Sequence, residues 1–147
     1  MDIEFDIGLN PIWWRTRPEI TYGIDDLTIN TIELQNRTTL RMAFPLTKGE
    51  HKLWFTFNNK DYNESRLDQG LDMAVEIDSV GIEGITVDRF KWAANYYPVY
   101  PADYLDKQKV IKSATYLGWN GQWELPFTAP VFTWIHQLEN LGWLYRP

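Results

Sequence analysis

Oxygen-bearing side chains are concentrated in one short stretch of the chain, between two segments that alternate like strands. Calcium takes about six to eight oxygen ligands, and Asp and Asn residues in loops can supply them. The spacing does not match an EF-hand, which requires D-x-[DN]-x-[DN]-G and a later Glu. Asn and Asp are also common in turns, because their side chains bond to the local backbone. Two interpretations therefore remain, a solvated turn, which is favoured, or a calcium site of four residues: Asp61, Asn63, Asp68 and Asp72.

Two carboxylates placed two positions apart form a second arrangement that could do chemistry. Glu76 and Asp78 would share one face of a strand, since side chains alternate between faces. Glycosidases use two carboxyl groups roughly 5 to 9.5 Å apart, and a pair at this spacing falls within that range. The outward face of an antiparallel sheet is ordinarily polar, however. We therefore expect this pair to belong to a solvated surface.

Other catalytic signals are weak. His51 and His136 are the two histidines of the chain, and cysteine is absent. Zinc sites require three or four His or Cys ligands at characteristic spacing. The sequence contains no G-x-S-x-G, P-loop or G-x-G-x-x-G motif. We predict that the protein is not an enzyme, and that both histidines have structural or surface roles.

Aromatic residues are unusually frequent, with 8 Trp, 8 Tyr and 7 Phe among 147 residues. We predict that the aromatic rings in the final third of the chain are too numerous for so small a protein to bury without another molecule. Three interpretations remain open: a second small core, an interface with a partner, or a platform on which a sugar stacks. Trp54 faces away from the apolar stripe of its strand, so Trp54 and Tyr62 are the candidates for sugar stacking. The candidate partner-binding residues are Trp13, Trp14, Trp92, Tyr96, Tyr97, Tyr100, Trp119, Trp123 and Trp143.

Charge and the N-terminal sequence limit the possible partners. The formal net charge is −6, so the phosphate backbone of a nucleic acid would be repelled. No apolar run approaches the roughly 20 residues that a membrane span needs. The opening "MDIEFDIGLNP" has neither the basic nor the apolar part of a secretory signal peptide. We expect a protein made in the cytoplasm that binds neither nucleic acid nor membrane.

Alternation of apolar and polar residues predicts a mainly β protein. Period-two patterns occur in "DIEFDI", "EITYGI", "HKLWFTF" and "DMAVEIDSV", at a spacing typical of an antiparallel β-sandwich. Pro and Tyr become frequent after about residue 90, where a central strand is not expected. A helical pattern lies near 130–141. We predict a jelly-roll-like sandwich over residues 1–90, followed over residues 91–147 by an aromatic, Pro-rich extension with one short helix, packed on the sandwich or on a partner.

The segment from residue 19 to residue 84 resembles a known family of sugar-binding domains. The resemblance rests on "GEHKLWFTFNN", on the acidic loop that follows it, and on "DMAVEIDSVGIEG". In these features the chain resembles the calcium-dependent, xylan-binding type of carbohydrate-binding module. The resemblance implies a β-sandwich, glycan as a possible ligand and calcium as a possible cofactor.

The whole chain also resembles small proteins of T4-like tailed bacteriophages. The segments that carry this likeness are "FDIGLNPIWWR", "YYPVYP" and "GWNGQWELPFTAPVFTWIHQLENLGWLY". The resemblance implies a virion component, either a capsid decoration protein or an accessory subunit of the tail or baseplate. Its partners would be other virion proteins, and copies of the chain could also associate in a lattice.

Two functional hypotheses follow from the sequence. In the first, the protein is a non-enzymatic phage structural protein, whose sandwich serves as a scaffold and whose aromatic extension docks on other virion proteins. In the alternative, it is a calcium-assisted carbohydrate-binding module. Trp54 and Tyr62 would then stack on sugar beside the calcium site of the acidic loop.

Overall fold

The structure is a computed structural model that describes residues 2–61, 69–100 and 109–144, with side chains described as far as residue 138. It is a sandwich of two antiparallel sheets with two helices, which confirms the predicted fold class. None of the helices described is long and apolar enough to cross a membrane. In chain order the elements are β1 (Asp2–Ile12), β2 (Glu19–Ile24), β3 (Leu27–Glu33), β4 (Thr38–Pro45), β5 (Gly49–Phe57), β6 (Ala74–Ile82), β7 (Ile85–Thr86), α1 (Asp88–Trp92), β8 (Asn95–Pro98), β9 (Ile111–Lys112), β10 (Tyr116–Leu117), β11 (Gly121–Ala129) and α2 (Val131–Leu144).

The two sheets differ in their number of strands and in their strand order. The first has the strand order β10-β6-β1-β4. The short strand β7 pairs with the end of β6, on the same side of β6 as β10. The second has the order β3-β2-β5-β11-β8-β9. Strands β5 and β11 lie at the centre of this second sheet and pair over nine residues, from Gly49 opposite Ala129 to Phe57 opposite Gly121. These two strands therefore fix which side chains face the core and which face solvent.

The core between the sheets is built by the alternating apolar residues that the sequence patterns indicate. Leu53, Phe55 and Phe57 are fully buried on β5. The ring of Phe5 lies 5.3 Å from the ring of Phe127, which joins the first sheet to the second. Period-two alternation buries one face of each strand, and this burial is the main favourable term for such a sandwich.

The segment after residue 90 contributes strands to both sheets. It supplies four strands, and β11 lies between β5 and β8. In β11 the residues Trp123, Leu125 and Phe127 are buried, so the strand has the same alternation as β5. Pro126 is tolerated because the pairing with β8 ends at Glu124, beyond which no described strand pairs with that side of β11. The helix predicted near 130–141 is present as α2 and packs against β11.

Candidate ligand-binding face

Trp54 lies on the outer face of the second sheet, where it is held in one position. Its neighbours in register are Gly23 on β2 and Glu124 on β11. The ring extends over Gly23, because a Cβ atom at that glycine would lie 2.5 Å from Cζ2 of Trp54. The indole Nε1 donates a hydrogen bond of 2.9 Å to the carbonyl oxygen of Asp25. The half-buried ring is thus fixed on the sheet surface by packing and by a hydrogen bond.

A connected row of polar side chains lies beside Trp54. The hydroxyl of Thr56 donates to Oε1 of Gln122 at 3.1 Å, and Nε2 of Gln122 donates to Oε2 of Glu124 at 2.7 Å. The ammonium of Lys52 lies 3.4 Å from the same carboxylate oxygen. We call Lys52, Thr56, Gln122 and Glu124 the polar row. It offers hydroxyl, amide, carboxylate and ammonium groups next to one aromatic ring.

Tyr97 extends this surface across the sheet. It lies opposite Gln122 in the pairing of β8 with β11, and its ring is 38% exposed. Trp54, Tyr97 and the polar row together form what we call the platform face. An aromatic ring buries the apolar side of a ligand, while neighbouring polar groups fix its orientation. The platform face is therefore suited to a flat ligand that carries several hydroxyl groups.

A groove of about 550 Å³ opens where β5 begins and β11 ends. We call it the end groove. Beside it, the largely buried side chain of His51 faces two acceptors: Nδ1 lies 2.7 Å from Oδ2 of Asp25, and Nε2 lies 2.6 Å from the carbonyl oxygen of Thr47. An ionised carboxylate and a carbonyl oxygen both accept hydrogen bonds, so this arrangement favours the form of His51 that carries a proton on both ring nitrogens. These two hydrogen bonds raise the pKa of His51. Residues that line the end groove include Asp25, Glu50, Lys52, Pro126, Thr128 and Trp134.

Of the four predicted calcium residues, Asp61 and Asp72 lie in the described part of the chain, and Asp72 is bonded to other side chains there. Nζ of Lys60 lies 3.0 Å from Oδ1 of Asp72 and also bonds to the carbonyl of Gly118. The hydroxyl of Tyr116 donates to Oδ2 of Asp72 at 2.7 Å. A lysine ammonium with a side chain only 5% exposed already supplies the positive charge there, and it would repel a divalent ion. Asp72 therefore does not fit the calcium hypothesis.

The other members of the predicted acidic site are placed differently. Asp61 is exposed. Asn63 and Asp68, with the predicted sugar-stacking Tyr62, lie outside the described residues. Among the residues that the structure describes, no group of three or more His, Cys, Asp or Glu side chains could hold a metal ion.

The predicted partner-binding rings divide into several classes. Trp123 and Tyr96 are fully buried in the core, so neither can dock on another molecule, and the prediction for these two is wrong. Trp119 packs partly buried against the core, and Tyr100 makes an edge contact with it at 5.0 Å. These two rings therefore pack against other parts of the same chain.

The remaining predicted rings are scattered over the surface. Trp14, Trp92 and Tyr97 are exposed, on the β1–β2 connection, on α1 and on β8 respectively. Trp13 is half-buried, and its indole donates to the carbonyl of Gln35 at 2.9 Å. The side chain of Trp143 lies outside the described residues. These rings come from separate elements, and a single docking patch for a protein partner does not follow from them.

The paired carboxylates have a structural role on the opposite sheet. The guanidinium of Arg37 contacts both oxygens of Asp78, at 2.7 and 3.0 Å. These hydrogen bonds lower the pKa of Asp78, which is the reverse of what a general acid at neutral pH requires. Glu76 is half-buried and lies opposite Asn10 on β1. The expectation that this pair belongs to an ordinary polar face agrees with the geometry.

Sequence reasoning named none of the four residues of the polar row as a candidate. Gln122 and Glu124 belong to a segment, "GQWELPFTA", in which polar and apolar residues alternate. This alternation of polar and apolar residues is the sequence signal that could have identified the segment as a strand. The Pro and Trp residues of the segment obscured it, and the pairing with β5 is separated by more than 60 residues in sequence. The environment of Lys60 gave no local signal, because Gly118 is 58 positions away.

Comparison with known proteins shows a shared fold. No protein-family model and no curated protein matches the sequence. A structure of vCBM60 in complex with galactobiose is similar, with a TM-score of 0.57 and 12% identity, over 83% of this chain and 96% of that chain. A selenomethionine form of vCBM60, described with circular permutation between two families of calcium-dependent carbohydrate-binding modules, gives 0.57 and 13% over 84% and 89%. The chain thus has the β-sandwich fold of these modules.

We predict that the stability of the protein falls as His51 loses its proton. The pKa of His51 is raised in the folded state, so its contribution is complete below the unfolded value of about 6.5 and is lost as the pH rises through the folded value. Urea unfolding from pH 5.5 to 9, compared between the wild type and His51→Gln, measures the effect. The expected difference in unfolding free energy between the two proteins shrinks with rising pH. A difference independent of pH would contradict this assignment.

We also predict that Lys60 and Asp72 stabilise the fold as a pair. Lys60→Met keeps the apolar stem but leaves the Asp72 carboxylate uncompensated, so the unfolding free energy should fall by about 3 kcal/mol. The double variant Lys60→Met/Asp72→Asn should recover most of that loss in urea unfolding. If Asp72 instead held calcium, added calcium would stabilise the wild type and not Asp72→Asn, which would refute the pairing.

Proposed function

We propose that this protein is a non-catalytic carbohydrate-binding module that holds a neutral glycan on its platform face. The observation that carries the proposal is the fixed ring of Trp54 beside the polar row, on a sandwich that shares its fold with vCBM60. Fold likeness at 12% identity does not by itself assign a ligand. The chemistry of the platform face is what selects a glycan over other ligands.

A pyranose ring has one flat side of C–H groups and a rim of hydroxyl groups. The C–H side can pack on the indole of Trp54, and the hydroxyl groups can bond to the amide of Gln122 and the carboxylate of Glu124. Each hydroxyl both donates and accepts, which matches the mixture of donors and acceptors in the polar row. The platform face thus offers both kinds of contact that such a ring requires.

The platform face is organised before a ligand arrives. Trp54 is held by the carbonyl of Asp25, and Gln122 is held between Thr56 and Glu124. Side chains already fixed lose little conformational entropy on binding. This compensates for the modest area that a shallow face can bury.

Charge favours a neutral glycan over an acidic one. The positive charge of Lys52 is balanced by Glu124 at 3.4 Å, so the platform face has no uncompensated cation. The chain as a whole carries a net charge of −6, which disfavours the approach of anionic polymers. Neutral oligosaccharides, galactobiose among them, are therefore the ligands to test first.

The proposal makes no use of calcium. The vCBM60 structures belong to work on calcium-dependent modules, but in this chain Asp72 is bonded to Lys60 and Tyr116. The platform face lies on the sheet surface and adjoins that cluster at one end, where Asn120 bonds to Lys60 two positions before Gln122. Virion localisation and docking on other virion proteins stay predictions from the sequence resemblance.

The test is calorimetric titration with a panel of neutral oligosaccharides. Trp54→Ala removes the stacking surface and should weaken binding by about tenfold or more, equivalent to about 1.4 kcal/mol. Trp92→Ala is the matched control, because that ring is 52% exposed on α1 and does not belong to the platform face. Equal affinity of Trp54→Ala and wild type, or no binding by the wild type to any member of the panel, would overturn the proposal.

A further inference from the structure

We infer that the platform face continues into the end groove, so that the ligand is an oligosaccharide chain with further sugar units bound beside Glu50 and Thr128. This inference rests on the proposed function and extends it from a single stacked ring to a chain. The inference is based on Lys52, which belongs to the polar row and also lines the end groove, so the two regions are adjacent.

Register shows that the two regions form one track. On the outer face of β5 and β11, Thr56 lies opposite Gln122 and Trp54 opposite Glu124. The alternation continues without interruption toward the groove, where Lys52 lies opposite Pro126 and Glu50 opposite Thr128. The seven residues from 50 to 56 span roughly 20 Å at the rise of a strand. That length exceeds a single sugar ring several times.

The end groove offers the same mixture of contacts as the platform face. Pro126 is exposed and presents an apolar ring, and Trp134 forms an apolar wall. Thr128 supplies a hydroxyl, while Asp25 and Glu50 supply carboxylates. Sugar hydroxyl groups can donate to both carboxylates, and the side chains of Lys52 and His51, which also line the groove, offset the negative charge of these carboxylates. The groove therefore extends the preference for a neutral glycan.

The walls of the end groove are fixed by contacts on their inner side. The carboxylate of Asp25 accepts from His51 at 2.7 Å and from the backbone N–H of Lys52 at 2.8 Å. Trp134 packs on Phe127 and on Phe90, at 6.3 and 6.0 Å between ring centroids. A groove whose walls are held in this way can bind a ligand without first rearranging.

Chain length of the ligand is the variable that tests the inference. Calorimetric titration of the wild type with one neutral oligosaccharide series, from the disaccharide to the hexasaccharide, should show affinity rising by about tenfold beyond the disaccharide, as additional hydrogen bonds and apolar contacts form. Glu50→Arg places a long side chain in the end groove, and it should remove this gain without weakening disaccharide binding.

A control variant separates the effect of the groove position from the effect of the charge change. Glu33→Arg makes the same change of charge at an exposed position on the edge strand β3, and it should retain the full gain with chain length. Wild-type affinity that does not depend on length, or a gain that survives in Glu50→Arg, overturns the inference and leaves the proposed function intact. Absence of binding at every length overturns both.

Discussion

The pairing of β5 with β11 is the interaction on which the rest of the structure depends. Nine residues of each strand lie in continuous register. Side chains on the inner face of this pair, such as Phe55 and Trp123, form the centre of the core, with ring centroids 5.3 Å apart. Side chains on the outer face form the platform face. A slip of one residue would exchange the two sets, so burial of the inner rings also fixes the position of every residue proposed to contact a ligand.

The same pairing covers part of the aromatic residues of the final third without another molecule. The sequence suggested that these rings exceed what the chain can bury, because a strand at residues 121–129 was not expected. Once β11 enters the second sheet, Trp123 and Phe127 are buried, and Tyr96 follows on β8. Tyr116 and Phe132 remain exposed among the described residues. A docking function therefore cannot be argued from the three buried rings.

Local patterns in the sequence predict much of the fold and part of the candidate site. Period-two alternation identifies the buried faces of β1, β5 and β6, and it places Trp54 on the outer face of its strand. It cannot say which strands are neighbours, because pairing is decided by burial over the whole chain. For this reason Gln122 and Glu124 could not be assigned to the surface around Trp54. Their role follows only from the register of β11 with β5.

The Lys60 cluster illustrates a second limit of sequence reasoning. A loop rich in Asp and Asn left a solvated turn and a cation site as the two interpretations, and one of its carboxylates, Asp72, is bonded to the ammonium of Lys60 from the same chain. Composition cannot distinguish the two cases, since the contacts to Asp72 and to the carbonyl of Gly118 form only on folding. A covalently attached cation lets this end of the sandwich be held together by residues of the chain itself.

The central claim is that a glycan lies along the outer face of β5 and β11. Nuclear magnetic resonance of the isotopically labelled protein, titrated with a neutral oligosaccharide, tests it most directly, because every backbone amide and the indole N–H of Trp54 report separately. The account predicts that the largest shifts fall on β5, on β11 and on the Trp54 indole. Shifts confined to the residues around Lys60 and Trp119, with the Trp54 indole unmoved, would contradict it.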